Sequence, residues 1–415
     1  MKIKNLLSSI AFLILSINIC NAQTAYISNY NDTTVSVINV ISNIAVAVIP
    51  VGSEPGGISV SPDGSKVYVA NYNDSSVSVI NTATNAVSAT IPVGRYPQGI
   101  AVSPDGSRVY VANEFSNTVS VIDAATNTVT ATIPVGTFPF GIVVSIDGST
   151  VYAVNYEDYT VSVINAAADT VSATIAVGSY PQGIAASPDG SKVYVTNTSD
   201  NTISIISTAA DTVSATIAAG TEPYGIAVSP NGSKIYVTNN ITPGTVSVIN
   251  TANNSISATI PVGSNPIGVS LNPAGSKVYV ANYGVNTVSV INAVADTVTD
   301  TVTVGNGPAA FGNFISSYVS TVNIASQSSS DETVSIYPNP FSEETTISFQ
   351  EEQTHTTIII TTILGEQIKS VILSAARNLL IDKGTMPAGI YFVEIMFSEN
   401  SPTNKSVINK KIIVE

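Results

Sequence analysis

The sequence is poor in the residues on which most catalytic and metal sites depend. Among its 415 residues there is one cysteine, Cys20, one histidine, His355, and no tryptophan. A single thiol excludes an internal disulfide or a Cys-ligated zinc site, and one histidine near the C-terminus excludes a Ser-His-Asp arrangement in the first 320 residues. Only 10% of the residues are charged, and the net charge is −14. Nucleic acid and anionic membranes are therefore not expected partners.

What the sequence does contain is one phrase repeated at a fixed interval. A Tyr-Val-Ala-Asn-like phrase recurs every 42 residues, with one interval of 43, and its tyrosines are Tyr26, Tyr68, Tyr110, Tyr152, Tyr194, Tyr236 and Tyr279. Each unit holds four short Val-, Ile- and Thr-rich runs with alternating polarity, separated by turns such as Ser61–Gly64. Four short strands in a unit of about 40 residues predict one blade of a β-propeller.

The two ends of the repeat array are complementary. The chain enters the first unit at its second strand, near Ala25–Asn29, and leaves the array with an unmatched innermost strand near Ala310–Ser316. Pairing these two segments gives an all-β, seven-bladed propeller of four-stranded blades, closed by both chain ends. Closure removes the exposed first and last edges that an open stack of sheets has to protect.

These phrases resemble the YVTN-type β-propeller repeats of secreted and surface-layer-like proteins. Tyr194–Asn197 and Tyr236–Asn239 match the motif that names the family, and the Gly-x-x-Pro-x-Gly and Ser-Pro-Asp-Gly-Ser phrases match as well. The similarity spans residues 24–318, although the fourth unit has Ser145–Gly148 with isoleucine in place of the proline. The resemblance implies the fold and an extracellular location, and it does not imply one activity.

Both termini carry export signals. Residues 1–22 have Lys2 and Lys4 before the short apolar stretch Leu6–Ile19, and they are predicted to be a signal peptide whose removal leaves no transmembrane segment. The predicted organisation continues with the propeller at 23–320, a polar linker at 321–332 and a second domain at 333–415.

The second domain is predicted to be a small Ig-like β-sandwich, because its short strands alternate with Gly, Pro and Asn turns. Its phrases Tyr337–Pro340, Leu364-Gly365, Pro387–Tyr391 and Lys410–Val414 resemble the type A C-terminal sorting domain of the type IX secretion system. That resemblance implies that residues 333–415 contact the secretion machinery and that the protein is secreted or held on the outer cell surface. An ordinary Ig-like binding module is the alternative.

The strand order divides the loops between two faces of the propeller. One face contains the loops that connect the second strand of a blade to the third, together with the loops that connect each outer strand to the next blade. The loops of this face carry eight acidic residues but only one basic residue, Arg95. We call it the aromatic face, because its loops also hold aromatic residues that differ between repeats. The candidate ligand-binding residues flank its loop prolines: Glu54, Tyr96, Gln98, Phe138, Phe140, Tyr180, Gln182, Glu222 and Tyr224.

Aromatic rings beside carboxylates and amides suit a sugar, since rings stack on C–H surfaces and the polar groups bond hydroxyls. The competing interpretation is that the rings cover the blade ends and the acids provide solubility. We expect a monomeric, non-enzymatic binding protein for a glycan or protein ligand, with no resident cofactor. The alternatives are a lactonase-like enzyme holding a divalent metal such as calcium with carboxylates, and a purely structural surface coat.

Overall fold

The computed structural model describes residues 23–316 and, in the C-terminal region, 334–339, 341–353, 356–362, 367–373, 376–384, 386, 389–396 and 407–414. The predicted signal peptide, 1–22, and linker, 321–332, lie outside the described residues. Two compact units are present, one within Asn21–Val319 and the other within Ser320–Glu415. In the described part of the chain, no helix has the length and apolar character needed to cross a membrane.

The first unit is a ring of antiparallel four-stranded sheets, as the repeats predict. Six sheets follow chain order from an inner to an outer strand, and the seventh has three strands, β1–β3, plus a closing segment. Blade 1 contains β1 (Thr24–Asn29), β2 (Thr34–Asn39) and β3 (Ile44–Pro50). Blade 2 contains β4 (Pro55–Val60), β5 (Lys66–Asn71), β6 (Ser76–Asn81) and β7 (Ala86–Pro92). Blade 3 contains β8 (Pro97–Val102), β9 (Arg108–Asn113), the 3-10 turn Glu114–Ser116, β10 (Thr118–Asp123) and β11 (Thr128–Pro134).

The remaining blades repeat this order. Blade 4 contains β12 (Pro139–Val144), β13 (Thr150–Asn155), β14 (Thr160–Asn165) and β15 (Thr170–Ala176). Blade 5 contains β16 (Pro181–Ala186), β17 (Lys192–Asn197), β18 (Thr202–Ser207) and β19 (Thr212–Ala218). Blade 6 contains β20 (Pro223–Val228), β21 (Lys234–Asn239), β22 (Thr245–Asn250) and β23 (Ser255–Pro261). Blade 7 contains β24 (Pro266–Leu271), β25 (Lys277–Asn282), β26 (Thr287–Asn292) and β27 (Thr297–Thr303).

The closing segment, residues 308–316, completes blade 1. The Tyr26 amide donates to the Phe314 carbonyl, and the Ser316 amide donates to the Thr24 carbonyl, both over 2.9 Å. The pairing consists of single bridges rather than a regular ladder. The fully buried Phe314 ring belongs to a core cluster that also includes Tyr279 of blade 7 and Ile27 of blade 1. The predicted closure by both chain ends is therefore confirmed.

The asparagine that ends each second strand lies at the centre of a buried polar network. In blade 3 the Asn113 side-chain amide donates to Thr118 Oγ1 over 3.1 Å and to Ser120 Oγ over 2.9 Å, and the same pair of bonds recurs in every blade. These amides hold the turn between the second and third strands, as predicted, but they do so by bonding hydroxyls of the third strand. The bonds satisfy serines that face a neighbouring blade and not water.

Glycine allows backbones to approach closely at two points of the repeat. A Cβ on Gly94 would lie 2.6 Å from Cγ of Asn113, and a Cβ on Gly99 would lie 2.2 Å from the carbonyl oxygen of Phe140 in the next blade. Because these separations are too short for any Cβ contact, both glycines of the Gly-x-x-Pro-x-Gly phrase are needed for packing.

The opposite face, which we call the turn face, contains the turns from first to second and from third to fourth strands. Its bases join adjacent blades. Arg108 donates to the Ala166 carbonyl over 2.6 Å and pairs with Asp169 at 2.9 Å, and Lys277 donates to the Val40 carbonyl across the ring closure over 2.7 Å. Arg108 and Lys277, which follow the turn from the first to the second strand, therefore stabilise contacts between neighbouring blades.

The outer strand of blade 1 differs from all the others. Its Ile44, Val46 and Val48 are 59–63% exposed, whereas the equivalent positions in the other six blades are serine, threonine or alanine. Outer strands carry unpaired backbone groups, and polar side chains normally protect them from pairing with other chains. Blade 1 lacks that protection.

The second unit is a β-sandwich. One sheet contains β28 (Val334–Tyr337), β29 (Glu344–Gln353) and β32 (Ala376–Asp382), and the other contains β30 (Thr356–Thr362), β31 (Gln367–Leu373), β33 (Gly389–Met396) and β34 (Val407–Val414). A core that includes Ile347, Ile381, Val393 and Ile412 is shared by both sheets. The two-sheet prediction is confirmed, with one added strand, β32, whose polar sequence ARNLLID shows little alternation.

Candidate functional site

The loops of the aromatic face hold their leading residues in an unusual backbone conformation. In six of the seven loops that enter a blade, the residue before the proline has a φ between 49° and 56°, and these residues are Glu54, Tyr96, Phe138, Tyr180, Glu222 and Asn265; the seventh loop has Gly307 at this position. Asparagine tolerates this left-handed region, but tyrosine, phenylalanine and glutamate do not favour it. Each such residue costs on the order of 1–3 kcal/mol, so five of the six loops sacrifice stability to place an aromatic or acidic side chain there.

The predicted aromatic residues form contiguous groups of rings across this face. Tyr72 stacks on Tyr96 with ring centroids 4.6 Å apart and planes at 16°, and Phe115 contacts both Tyr96 and Phe138 edge to face at 5.5 and 5.8 Å. The guanidinium of Arg95 lies 4.9 Å from the Phe115 ring centroid. Blades 2 to 4 therefore share one aromatic surface.

A second group of rings follows on blades 4 and 5. Tyr180 contacts Tyr156 at 5.0 Å and Tyr159 at 4.9 Å. The Tyr159 hydroxyl is hydrogen-bonded to Tyr180, which raises the pKa of Tyr159 to about 12.

Three rings from different parts of the propeller meet on this face. Phe140 of blade 4, Tyr224 of blade 6 and Phe311 of the closing segment contact one another edge to face, with centroids 5.4 to 5.9 Å apart. Phe140 and Tyr224, two of the predicted ligand-binding residues, therefore pack together with Phe311 on this face. Phe311 was missed, because the closing segment carries two extra residues, Pro308-Ala309-Ala310-Phe311-Gly312, which hide its Pro-x-Gly phrase.

Polar side chains lie between the rings. The Tyr30 hydroxyl donates to Glu54 Oε2 over 2.9 Å, and burial together with this bond raises the pKa of Tyr30. The carboxyl of Glu114 is hydrogen-bonded to Gln98 and Tyr72, yet burial outweighs these bonds and raises the pKa of Glu114. Glu114 and Tyr72 were not among the candidate site residues, although both lie in loops of the aromatic face.

Two further predicted residues have different surroundings. The side chain of Gln182 is hydrogen-bonded to Tyr156, while its buried Oε1 accepts no hydrogen bond within the protein. Glu222 is exposed, and its backbone amide donates to Asn201 Oδ1 over 2.8 Å. The structure thus brings Gln182 into the aromatic surface and leaves Glu222 at its edge.

Half of the eight acids of this face fasten loops. Asp74, Asp158 and Asp200 accept the backbone amides of Ser53, Thr137 and Ser179 over 2.6 to 2.7 Å, and Asp32 accepts the amide of Asn306. Each bond joins the loop after the second strand of a blade to the loop that enters the same blade. These carboxylates therefore have a structural role, which leaves Glu54, Glu114, Glu157 and Glu222 for a ligand.

The carboxylates do not gather into a metal site. In residues 23–316 and the described parts of the sorting domain, no group of three or more His, Cys, Asp or Glu side chains could hold a metal ion. The carboxylate pairs that could supply calcium ligands are Glu54 with Glu222 and Glu157 with Asp158, and of these Glu54 is bonded to Tyr30 and Asp158 to a loop amide. The described donors therefore do not fit the six to eight oxygen ligands that calcium takes.

Comparison with protein families agrees with both halves of the architecture. The family model "Lactonase, 7-bladed beta-propeller" matches residues 21–137 and 207–310, which together exceed half of the chain, and a YNCE-like beta-propeller model matches residues 144–241. The chain therefore belongs to the family of lactonase-type seven-bladed beta-propellers. A secretion system C-terminal sorting domain matches residues 335–414, so the protein carries a type IX sorting tail and is secreted or held at the cell surface.

Solved structures share the propeller fold at low sequence identity. A protein of unknown function from Desulfotomaculum acetoxidans is 19% identical with a TM-score of 0.63, covering 72% of this chain and 100% of its own. A protein provisionally assigned as a 6-phosphogluconolactonase from Bacteroides uniformis is 20% identical with a TM-score of 0.60, covering 69% and 98%. Hydrazine synthase from Kuenenia stuttgartiensis is 24% identical with a TM-score of 0.58, covering 62% and 88%. These likenesses show the fold alone, and curated proteins gave no match.

Proposed function

We propose that this protein is an exported, non-enzymatic, monomeric binding protein whose aromatic face takes an uncharged oligosaccharide. The observation that carries the proposal is the set of aromatic and acidic side chains held on left-handed backbone before the loop prolines. Packing alone does not explain why five loops accept the free-energy cost of a left-handed aromatic or acidic residue, since Asn265 occupies the same position before blade 7 at a lower cost. Aromatic and acidic side chains held at this strained position support a role in ligand binding.

The surroundings of these residues match a sugar in three respects. Ring faces of Tyr96, Phe138 and Tyr180 offer stacking surfaces for C–H groups. Glu54, Glu114 and Gln182 lie among the rings with oxygens suited to hydroxyl donors. The net charge of −14 disfavours sulfated or uronic glycans.

The variant Tyr96→Asn should weaken ligand binding with little loss of stability. Removing the left-handed tyrosine relieves about 1–3 kcal/mol of strain, while the lost stacking on Tyr72 costs about 0.5–1.5 kcal/mol, so the free energy of unfolding should fall by no more than about 0.5 kcal/mol. Affinity for neutral oligosaccharides on a glycan array should fall by about tenfold or more, equivalent to about 1.4 kcal/mol. Tyr337→Asn, at an exposed tyrosine of the sorting domain, is the matched control. Full retention of binding by Tyr96→Asn and its Phe138 and Tyr180 counterparts would refute the assignment.

A lactonase-type enzyme is the second candidate, because the matching family model carries that name. It would need a divalent metal, and the described carboxylates do not supply a set of ligands for one. Metal analysis of the purified protein combined with a lactone-hydrolysis assay distinguishes the two functions. Stoichiometric metal with turnover that chelation abolishes would favour the enzyme.

Export is proposed to use both termini in sequence. Residues 1–22 direct passage through the inner membrane and are removed before Gln23, and the sorting domain then engages the type IX machinery. Deletion of residues 333–415 should leave a folded propeller inside the cell envelope. Mass spectrometry of the culture medium and of the envelope fraction tests this, and unchanged secretion would contradict it.

A further inference from the structure

A larger cavity opens on the turn face, away from the aromatic residues. It has a volume of about 510 Å³ and is lined by the ends of the innermost strands and the turns that follow them, including Val102, Val144, Ala186 and Val228. We call it the funnel. Its size falls within the 300–1,000 Å³ typical of small-molecule sites.

The funnel adjoins a second, smaller cavity at its inner end. Isoleucines of the innermost strands, among them Ile100, Ile142 and Ile184, line both the funnel and a smaller cavity of about 30 Å³ above it. Phe311 borders that smaller cavity, and the rings of Phe140 and Tyr224 pack against Phe311. Packed aromatic rings therefore lie between the funnel and the aromatic face, and the funnel itself opens on the turn face.

The wall of the funnel has two chemically different arcs. No lining residue carries a charge, and the arc from blades 3 to 6 consists only of alanine, valine, isoleucine and proline. The side chains of Ser59, Ser270 and Asn313 come from blades 2, 7 and 1, which are neighbours across the ring closure. Ser270 Oγ lies 3.4 Å from Asn313 Oδ1, and the Asn313 side chain is exposed.

At the mouth of the funnel, one blade departs from the repeated sequence. Prolines from four of the turns line the funnel, but blade 4 has Ile146, which is 58% exposed. An exposed isoleucine at the mouth of an apolar pocket extends the surface available to an apolar ligand.

We propose that the funnel is a second ligand site, which takes an uncharged amphiphilic small molecule. The apolar body of the ligand contacts blades 3 to 6, and one hydrogen-bonding end reaches the exposed side chain of Asn313. An uncharged wall excludes ionised ligands, because no group is present to compensate their desolvation. This site is independent of the aromatic face.

N-phenyl-1-naphthylamine is a suitable probe, since it is uncharged, largely apolar and carries one N–H group. Titrated into the full chain, it should give a saturable rise in fluorescence with one site per protein. Ala186→Phe places a ring in the funnel and should weaken binding at least about tenfold. Asn313→Leu should weaken binding by about two- to tenfold, the range expected for one lost hydrogen bond. Ala86→Phe, at an exposed position on an outer strand, should change nothing.

Thiol labelling gives a second measurement that requires only a small substitution. In a Cys20→Ser background, saturating probe should slow modification of Ala186→Cys by at least about fivefold and leave Ala86→Cys unaffected. The proposal is overturned if the parent protein shows no saturable binding, or if the probe protects both cysteines equally. Tyr96→Asn should bind the probe like the parent, so failure of the sugar site and failure of the funnel remain distinguishable.

Discussion

Phe314→Ala should destabilise the entire propeller, because this ring fastens the last segment of the ring to the first blade. The side chain is fully buried and packs with residues of blades 1, 2 and 7. Truncating a buried phenylalanine costs about 3–5 kcal/mol. At about 2 °C per kcal/mol, the lower end of the range for large domains, Tm should fall by about 6–10 °C.

Guanidinium denaturation followed by tyrosine fluorescence measures this loss, since the chain has no tryptophan. Phe115→Ala is the matched control, because its ring is 51% exposed and its truncation should cost no more than about 1 kcal/mol. Equal losses for the two variants would show that the segment at 308–316 does not close the ring. If only one of two spectroscopic probes reported the loss of stability, ring closure would stabilise blade 1 alone and not the whole propeller.

Three further changes test other parts of the fold. Gly99→Ala should cost several kcal/mol in urea denaturation, since its Cβ would lie 2.2 Å from the Phe140 carbonyl oxygen, and a neutral result would contradict the blade packing. Val46→Ser with Val48→Thr should reduce self-association in light scattering by restoring a polar outer strand, and unchanged scattering would oppose this. Hydrogen bonds from Ser103 and Ser107 lower the pKa of Asp105 to about 2, so its carboxylate stabilises the protein above pH 3.8 and the benefit is lost as pH falls through 2. Stability curves of Asp105→Asn and the parent should therefore converge on acidification, and curves that stay parallel would refute that role.

Local sequence was sufficient to predict the strands, the blades and their number. Alternating Val and Ser in runs such as Ser76–Asn81 specified strands, and turn residues at fixed offsets set their ends. One strand of the sorting domain, Ala376–Asp382, escaped prediction, although Leu379 and Ile381 both face the core. The residue between them, Leu380, is apolar yet 54% exposed, so the sequence shows no alternation of polar and apolar residues there.

The sequence predicted which face of the propeller carries the candidate residues, but not which residues contact one another there. Sequence placed Tyr96, Phe138 and Phe140 on one surface, since strand order alone fixes which loops share a face. It could not show that Phe140 turns inward to meet Tyr224 and Phe311, residues separated from it by many tens of positions. Nor could it distinguish Asp74, which fastens a loop, from Glu54, which faces a tyrosine.

The sequence by itself determined the repeat, the strand pattern, the sevenfold count and the C-terminal sorting tail, because each of these depends on residues close together along the chain. Tertiary structure decided which serines are buried, which carboxylates are engaged, and that aromatic rings pack together on one face while a funnel opens on the other. Those outcomes depend on distances between blades, which the ring geometry sets and no single repeat encodes.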